Sequence, residues 1–218
     1  MDFSENYVLK YASEIQASHF GASKKQISLH TSVVYYGENI KPVLYCTLSN
    51  CLRHDSAAIC AHLNPLLGEI KNNVPNLKTI HFASDEPSTQ YRNKSMFYLA
   101  SSYLSKVLNV ENMFWHFSEA GHGKGAPDGV GGCLKRSADG LVGRSTDLSS
   151  LEVLVIKLKE ACKGMNILKI ADEEFLEIDK FASNDLPSIK GTLKIHQIVW
   201  RYNDPLAIFV RRLSCLTC

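Results

Sequence analysis

The sequence predicts an α/β fold, in which a mixed sheet is flanked by helices and a small C-terminal α+β appendage follows. Strand-like runs rich in β-branched and aromatic residues alternate with longer stretches of helical periodicity. An acidic residue, Asp85, follows one of the strand-like runs closely. No repeat or low-complexity linker interrupts the 218 residues, a length that suits one main domain with an appendage. We place the core at residues 1–164 and the appendage at 165–218.

The first half of the chain predicts a hairpin, a helix and a strand. Residues 26–36 and 41–49 are β-branched and aromatic runs separated by a short link that contains glycine, which is typical of an antiparallel hairpin. Residues 54–72 carry apolar side chains at helical spacing, with Asp55 or Ser56 placed to cap the helix.

The remaining elements follow in the same way. Residues 77–83 predict a buried strand that ends just before Asp85, and residues 112–117 predict another strand. A helix is predicted after the second of these strands, because Pro127 suits a first helical turn. Further predicted helices and strands are a helix over 91–108, helices over 148–162 and 172–181, and a final strand pair over 191–200 and 207–213.

Composition excludes several classes of protein. With 45% hydrophobic and 21% charged residues, the chain has the composition of a soluble globular protein. No apolar run approaches the roughly 18 residues that span a bilayer, and Asp2 and Glu5 stand where a signal peptide would be basic. We expect a nuclear or cytoplasmic protein that is neither secreted nor bound to a membrane. The net charge of +2 does not identify a partner.

The cysteines favour a reducing compartment. There are seven of them, an odd number, and most lie in apolar stretches, which favours reduced thiols over a disulfide framework. Only Cys215 and Cys218 have the spacing of a pair of zinc ligands, and no second Cys or His pair lies near them in the sequence. Whether they bind zinc stays open at this point.

A glycine-rich stretch at residues 118–136 raises the question of a nucleotide site. A phosphate-binding P-loop would need Ser or Thr after Gly123-Lys124 and a glycine at Ser118, and neither condition is met. A dinucleotide fingerprint fails as well, since the third glycine is missing. A turn-rich connection and a metal site remain as interpretations.

Three aspartates favour the metal site. Asp85 follows one predicted strand, Asp128 comes after another and opens a helix, and Asp2 lies in the block DFSENY. Because the carboxyl ends of strands in an α/β sheet converge, we expect the three acids to share a site. Clustered carboxylates repel one another unless a cation neutralises them, and their oxygens suit Mg²⁺ or Mn²⁺. A pair of such ions catalyses phosphodiester cleavage or transfer in many enzymes.

Three blocks of the sequence resemble the ribonuclease H-like catalytic domain of DDE transposases, in particular transposon-derived proteins of animal genomes. They are DFSENY at 2–7, SDEPSTQYRN at 84–93 and HGKGAPDGVGGCLKR at 122–136. The resemblance covers about residues 2–140. It implies a ribonuclease H-like fold, two-metal phosphodiester cleavage or strand transfer, Mg²⁺ or Mn²⁺ as cofactor, and a nucleic acid, in particular DNA, as partner.

The same resemblance assigns roles to individual residues. It makes Asp2, Asp85 and Asp128 catalytic acids that bind the metal ions. Asp55 stands where ribonuclease H has a further metal-binding carboxylate. His122 stands in the loop before the last acid, where a histidine assists proton transfer or product departure.

Other residues near the third acid have two interpretations each. Glu119 is the alternative third acid, and we favour Asp128 because it opens a helix as the fold requires. Lys124, Lys135 and Arg136 are either solvated charges or contacts to nucleic-acid phosphates.

The start of the chain favours a second hypothesis. Because Asp2 follows Met1 directly, we expect nearly all of the first strand to be missing and Asp2 to lie on a frayed end. The protein would then be a catalytically inactive transposase remnant, or a domesticated module that binds nucleic acid or protein. The sequence does not predict the choice of DNA or RNA, the target sequence or the oligomeric state.

Overall fold

The computed structural model describes residues 1–13, 24–37, 40–85, 89–118, 125–183 and 185–216. These residues have an α/β fold with two mixed, four-stranded sheets and flanking helices. Their contacts divide the chain into two compact units. The first unit comprises Met1, His54–Lys124 and Glu173–Cys218, and the second comprises Asp2–Arg53 and Gly125–Asp172.

The sheet of the second unit has the strand order β1-β2-β3-β6. Its strands are β1 (Asp2–Val8), β2 (Gln26–Tyr35), β3 (Pro42–Ser49) and β6 (Met165–Lys169). The hairpin of β2 and β3 is antiparallel, which confirms the sequence prediction. The short strand β6, which no local pattern of the sequence predicts, pairs parallel with β3.

Strand β1 differs from the frayed remnant that the sequence led us to expect. Asp2–Val8 form a seven-residue strand that pairs antiparallel with β2, and Asp2 lies opposite Thr31. Phe3 is buried and packs edge-on against His30, with 4.8 Å between ring centroids. The expectation is wrong because pairing with β2 and burial of Phe3 and Tyr7 hold these residues in a strand.

Two helices cover this sheet. They are α4 (Ala126–Val142) and α5 (Leu151–Ala161). Leu134 and Leu154 are buried in the same core as Ile27 and Leu48 of the sheet. As predicted, Pro127 stands in the first turn of α4.

The sheet of the first unit has the strand order β4-β5-β7-β8. Its strands are β4 (Thr79–Ser84), β5 (Asn112–Phe117), β7 (Gln197–Arg201) and β8 (Asp204–Arg211). Strands β4 and β5 are parallel, and the other neighbours are antiparallel. The final strand pair that the sequence predicts is therefore part of this sheet.

The helices of the first unit match the predicted helical stretches. They are α1 (Ser56–Asn73), α2 (Lys94–Leu99), α3 (Ser105–Leu108) and α6 (Asp172–Asp179), whose first residue the contacts assign to the second unit. A π-helical turn at Ala100–Leu104 joins α2 to α3. No helix in the described ranges is both long enough and apolar enough to cross a membrane.

The segment expected to form an appendage contributes to both sheets. Its strand β6 pairs with β3, whereas its strand β7 pairs with β5. The contacts divide the chain between Asp172 and Glu173 rather than at residue 165. The sequence pattern does not show that β6 and β7 belong to the two sheets, because their partners β3 and β5 lie more than 80 residues earlier in the chain.

Candidate functional site

Helix α4 lies directly against β1 in the second unit. A Cβ atom on Gly131 would lie 2.7 Å from the Ser4 Oγ and 3.0 Å from its Cβ, so only glycine permits this approach. Further along, the Tyr7 hydroxyl donates to the Asp139 carboxylate at 3.0 Å, and the Lys10 ammonium contacts the same carboxylate at 2.6 Å. The contacts advance along both elements together, so α4 runs in the same direction as β1.

This packing brings Asp2 and Asp128 to the same end of the second unit. Asp128 lies about one helical turn before Gly131, on the side of α4 that meets β1. Asp2 lies two residues before Ser4, so its side chain points to the same face of the sheet. The two acids of the second unit that the sequence predicts as metal ligands therefore stand at one end of the β1–α4 pair.

Asp128 is exposed at the start of α4. Its Oδ2 accepts a hydrogen bond of 3.1 Å from the backbone N–H of Gly125, the residue that precedes the helix. A carboxylate in the first turn is also favoured by the helix dipole. Asp128 thus stabilises the helix start while its carboxylate stays accessible to solvent.

The two basic residues of α4 differ in their surroundings. The ammonium of Lys135 lies 3.6 Å from the Glu5 carboxylate of β1, and the Lys135 side chain is partly buried. Arg136 is exposed, and one of its terminal nitrogens lies 3.1 Å from where a Cβ on Gly132 would stand. Their predicted role as phosphate contacts stays a prediction.

In the first unit, Asp85 lies at the carboxyl edge of the sheet. Strands β4 and β5 are parallel and end together, with Ser84 opposite Phe117. The Ser118 hydroxyl is within hydrogen-bonding distance of both the Asp85 carboxylate, at 3.3 Å, and the Ser84 carbonyl oxygen, at 3.2 Å. Asp85 is half-buried at the position that the sequence predicts, directly after β4.

Asp55 caps helix α1. Its carboxylate accepts a hydrogen bond of 2.9 Å from the backbone N–H of Ala58, as the sequence predicts for a capping residue. The hydroxyl of the next residue, Ser56, bonds to the Asn93 side chain at 2.9 Å, and Asn93 in turn caps α2. Asp55 therefore has a structural role that accounts for its position without a metal ion.

Ionisable groups are buried in the same helix. Burial raises the pKa of the Cys60 thiol, and the Asp55 charge raises it further. Burial, with a smaller effect of His54, lowers the pKa of His62 to about 3. The His62 ring packs edge-on against Phe175 of α6, with 5.6 Å between centroids. His62 is therefore held neutral at physiological pH.

A histidine pair on the sheet of the first unit was missed in the sequence. The Nδ1 of His81 on β4 lies 3.0 Å from the Nε2 of His116 on β5, and His81 stacks on Phe114. Burial lowers the pKa of both histidines, and His81 lowers that of His116 further. The repeated His-Phe in the two strands, at 81–82 and 116–117, was the available signal.

The described residues do not form a complete metal centre. Among them, no three or more His, Cys, Asp or Glu side chains are grouped so as to hold an ion. Carboxylate oxygens are the ligand type that suits Mg²⁺ or Mn²⁺, which proteins commonly hold by one or two carboxylates, so Asp2 and Asp128 at one end of the β1–α4 pair have the right chemistry for part of such a site. Glu119, His122 and Lys124 lie outside the described residues.

The cysteines correct one expectation. Cys215 is disulfide-bonded, so it is neither a reduced thiol nor a zinc ligand in this structure. Cys218 lies outside the described residues. Among the described residues, five cysteines are free thiols, as expected: Cys46, Cys51, Cys60, Cys133 and Cys162.

Fold and candidate site together define an α/β protein with aspartates at a strand end and at two helix starts. Residues 1–214 match the family described as Domain of unknown function (DUF8701). Because the match spans nearly the whole chain, the protein belongs to this family. No curated protein and no solved structure matches it significantly.

Proposed function

We propose that the protein is a ribonuclease H-like domain of DDE transposase ancestry that cleaves or joins phosphodiester bonds in DNA, with Mg²⁺ or Mn²⁺ as cofactor. The observation that carries the proposal is the parallel packing of α4 on β1. Close contact between Gly131 and Ser4 fixes the helix on the strand. It supports the proposal because Asp2 and Asp128 come to the same end of the two elements, as two acids of one site must.

The position of Asp85 adds support from the first unit. It follows a parallel strand at the carboxyl edge of a sheet, where α/β proteins commonly place their binding residues. The Ser118 hydroxyl contacts this carboxylate, which orients it. The proposed ligands are Asp2, Asp85 and Asp128, with Glu119 as the alternative to Asp128. Asp55 is not among them, because its carboxylate caps helix α1.

Basic side chains support a nucleic acid as the partner. Arg136 is exposed on α4, the helix whose first turn contains Asp128. Lys135 lies one residue before it, and Lys124 precedes the helix in the chain. We propose that they contact phosphates, which makes DNA binding depend on salt concentration.

One observation favours a second candidate function. The described residues include no group of three or more acidic, histidine or cysteine side chains arranged for a metal ion. A domain that binds nucleic acid without cleaving it would need no such group. The second candidate is therefore a non-catalytic nucleic-acid-binding module of the same ancestry.

A nicking assay on supercoiled DNA distinguishes the two candidates. The wild-type protein is compared with Asp85→Asn and Asp128→Asn in Mg²⁺ and in Mn²⁺, and binding of the same DNA is measured in parallel. Asp185→Asn is the matched control, since this exposed aspartate of the first unit lies outside the proposed site.

The catalytic proposal predicts nicking by the wild type and the control, and its loss in Asp85→Asn and Asp128→Asn with DNA binding retained. Equal nicking by Asp85→Asn and the wild type would contradict it. DNA binding without nicking under either metal would favour the second candidate. Absence of both nicking and binding would contradict both candidates.

A further inference from the structure

A cavity of about 310 Å³ lies in the first unit, where residues 92–94 meet residues 188–193. Both segments belong to this unit. The volume is at the lower end of the range of small-molecule sites in proteins, which is roughly 300–1,000 Å³. A small ligand is therefore the occupant whose size the cavity fits.

Two of the residues that line the cavity are basic. Arg92 is the more deeply placed of them, since only 2% of its surface is exposed. Lys94 is exposed, and its ammonium donates to the carbonyl oxygen of Leu186 at 2.6 Å, which holds the side chain in place. Among the described residues that line the cavity, none is acidic. The described lining therefore carries two positive charges and no negative one.

The surroundings of Arg92 strengthen the attraction for an anion. Burial lowers the pKa of its guanidinium, because the charged form loses hydration. A positive charge in a poorly hydrated place acts on a nearby anion more strongly than one in bulk water. The guanidinium also presents its N–H donors as a planar fork that matches the oxygens of a phosphate or a carboxylate.

The segment 188–193 gives the cavity an apolar wall. Ile189 is 39% exposed and Leu193 is 66% exposed, although both have large aliphatic side chains. Gly191 between them has a φ of +76°, a left-handed conformation that favours glycine. The Thr192 hydroxyl donates to the Ile189 carbonyl oxygen at 2.7 Å and braces this turn. A ligand with an apolar part would remove the two aliphatic side chains from water, which favours its binding.

We propose that this cavity binds a small phosphate monoester with an apolar or aromatic body. The phosphate is held by Arg92 and Lys94. The body packs on Ile189 and Leu193. A phosphate monoester carries a charge of about −1.5 to −2 at pH 7, which matches the two cations, whereas a carboxylate neutralises only one of them. This inference does not depend on the proposed nuclease activity.

Calorimetric titration of the full-length protein tests the chemistry of the ligand. The probes are phenyl phosphate, inorganic phosphate and benzoate, in the same neutral buffer and at the same salt concentration. Phenyl phosphate has both proposed parts, whereas inorganic phosphate lacks the apolar body and benzoate lacks the second negative charge. We expect phenyl phosphate to bind about tenfold or more tightly than either of the other two probes.

Substitutions in the lining test the place of binding. Lys94→Met removes one charge of the cavity and should weaken binding of phenyl phosphate about tenfold. Leu193→Ser removes part of the apolar wall, so it should weaken binding of phenyl phosphate but leave that of inorganic phosphate unchanged. Lys106→Met is the matched control, because this exposed lysine of α3 lies outside the lining and its loss changes the net charge equally.

A variant of the buried arginine tests the geometry of the phosphate contact. Arg92→Lys keeps the positive charge but removes the planar fork, so we expect weaker binding of phenyl phosphate. Circular dichroism of each variant confirms folding. Lys94 and Leu193 are exposed, so their variants keep the test decisive if Arg92→Lys fails to fold.

Three results would overturn the proposal. They are no binding of phenyl phosphate, equal affinity for phenyl phosphate and one of the two simpler probes, and equal affinity of Lys94→Met and Lys106→Met for phenyl phosphate. None of these measurements uses DNA cleavage, so failure of this proposal and failure of the proposed nuclease function are distinguishable.

Discussion

Helix α1 is capped by Asp55, and helix α4 has Asp128 in its first turn. The sequence assigns both aspartates to the same chemistry, yet the two helices are built differently. In α1, all eight residues from Ser56 to Leu63 are buried, so no side of the first two turns faces solvent. In α4, burial is confined to one face, which includes Val130 and Leu134. The aspartate of α1 caps a buried helix, and that of α4 lies in the first turn of a surface helix.

The two aspartates therefore differ in role: the fold requires Asp55 as a helix cap, whereas the carboxylate of Asp128 is available to bind a ligand. Asp55 satisfies a backbone N–H that would otherwise lose its partner in a buried helix start. Asp128 accepts one hydrogen bond but remains exposed. An acid that the fold needs can be explained without a ligand, whereas an exposed acid beside a tightly packed strand is the better candidate for chemistry.

Acid should destabilise the protein through the buried histidine of α1. Burial lowers the pKa of His62 to about 3, below the value of about 6.5 in an unfolded chain. As the pH falls below about 6.5, the unfolded chain binds the proton first, so stability is lost by up to about 1.4 kcal/mol per pH unit. Helix α4 contains no histidine and has no such dependence.

The measurement is the free energy of unfolding by urea between about pH 7 and about pH 4. In His62→Leu, the slope of this free energy with pH should be much shallower than in the wild type. The same slope in both proteins would show that His62 is not the group responsible.

Two glycines of α4 should respond to alanine in opposite directions. A Cβ on Gly131 would lie 2.7 Å from the Ser4 Oγ, whereas a Cβ on Gly129 has no other atom within 4 Å. Gly131→Ala should therefore lower the free energy of unfolding by about 1–3 kcal/mol. Gly129→Ala should raise it by about 0.5–1 kcal/mol, because alanine favours a helix interior.

Removing the Ser4 side chain tests whether its contact causes the loss of stability in Gly131→Ala. Ser4→Gly in the Gly131→Ala background should recover part of the lost stability, as a double-mutant cycle measures. If Gly131→Ala is as stable as Gly129→Ala, the close packing of α4 on β1 is refuted.

The two helix-starting aspartates should differ in their effect on stability. Asp55→Ala removes the cap of a buried helix and should cost about 1 kcal/mol. Asp128→Ala removes an exposed carboxylate and should cost about 0.5 kcal/mol or less. Thermal unfolding of the two variants checks the order, and a larger loss for Asp128→Ala would reverse the comparison.

Local patterns were enough to predict most elements. The β2–β3 hairpin, α1 and β5 were found because alternation and helical spacing are visible within a dozen residues. Strand β6 was missed, since its five residues are stabilised by pairing with β3, more than 100 residues earlier in the chain. The division into two sheets was missed for the same reason.

The candidate site was predicted in part. The cap at Asp55 and the position of Asp85 after a strand follow from local sequence, and the structure agrees. The sequence did not predict the close approach of Gly131 to Ser4, because that contact depends on how α4 lies on β1.

The most direct test of the proposed site removes the charge of Asp128 or of Asp55 and compares the nicking activity of the two variants. Asparagine caps a helix nearly as well as aspartate, so Asp55→Asn removes charge without removing the cap. We predict that Asp128→Asn lowers Mg²⁺-dependent nicking by about 100-fold or more, whereas Asp55→Asn keeps most of it, with both variants folded. Equal loss in the two variants, or loss in Asp55→Asn alone, would contradict the account.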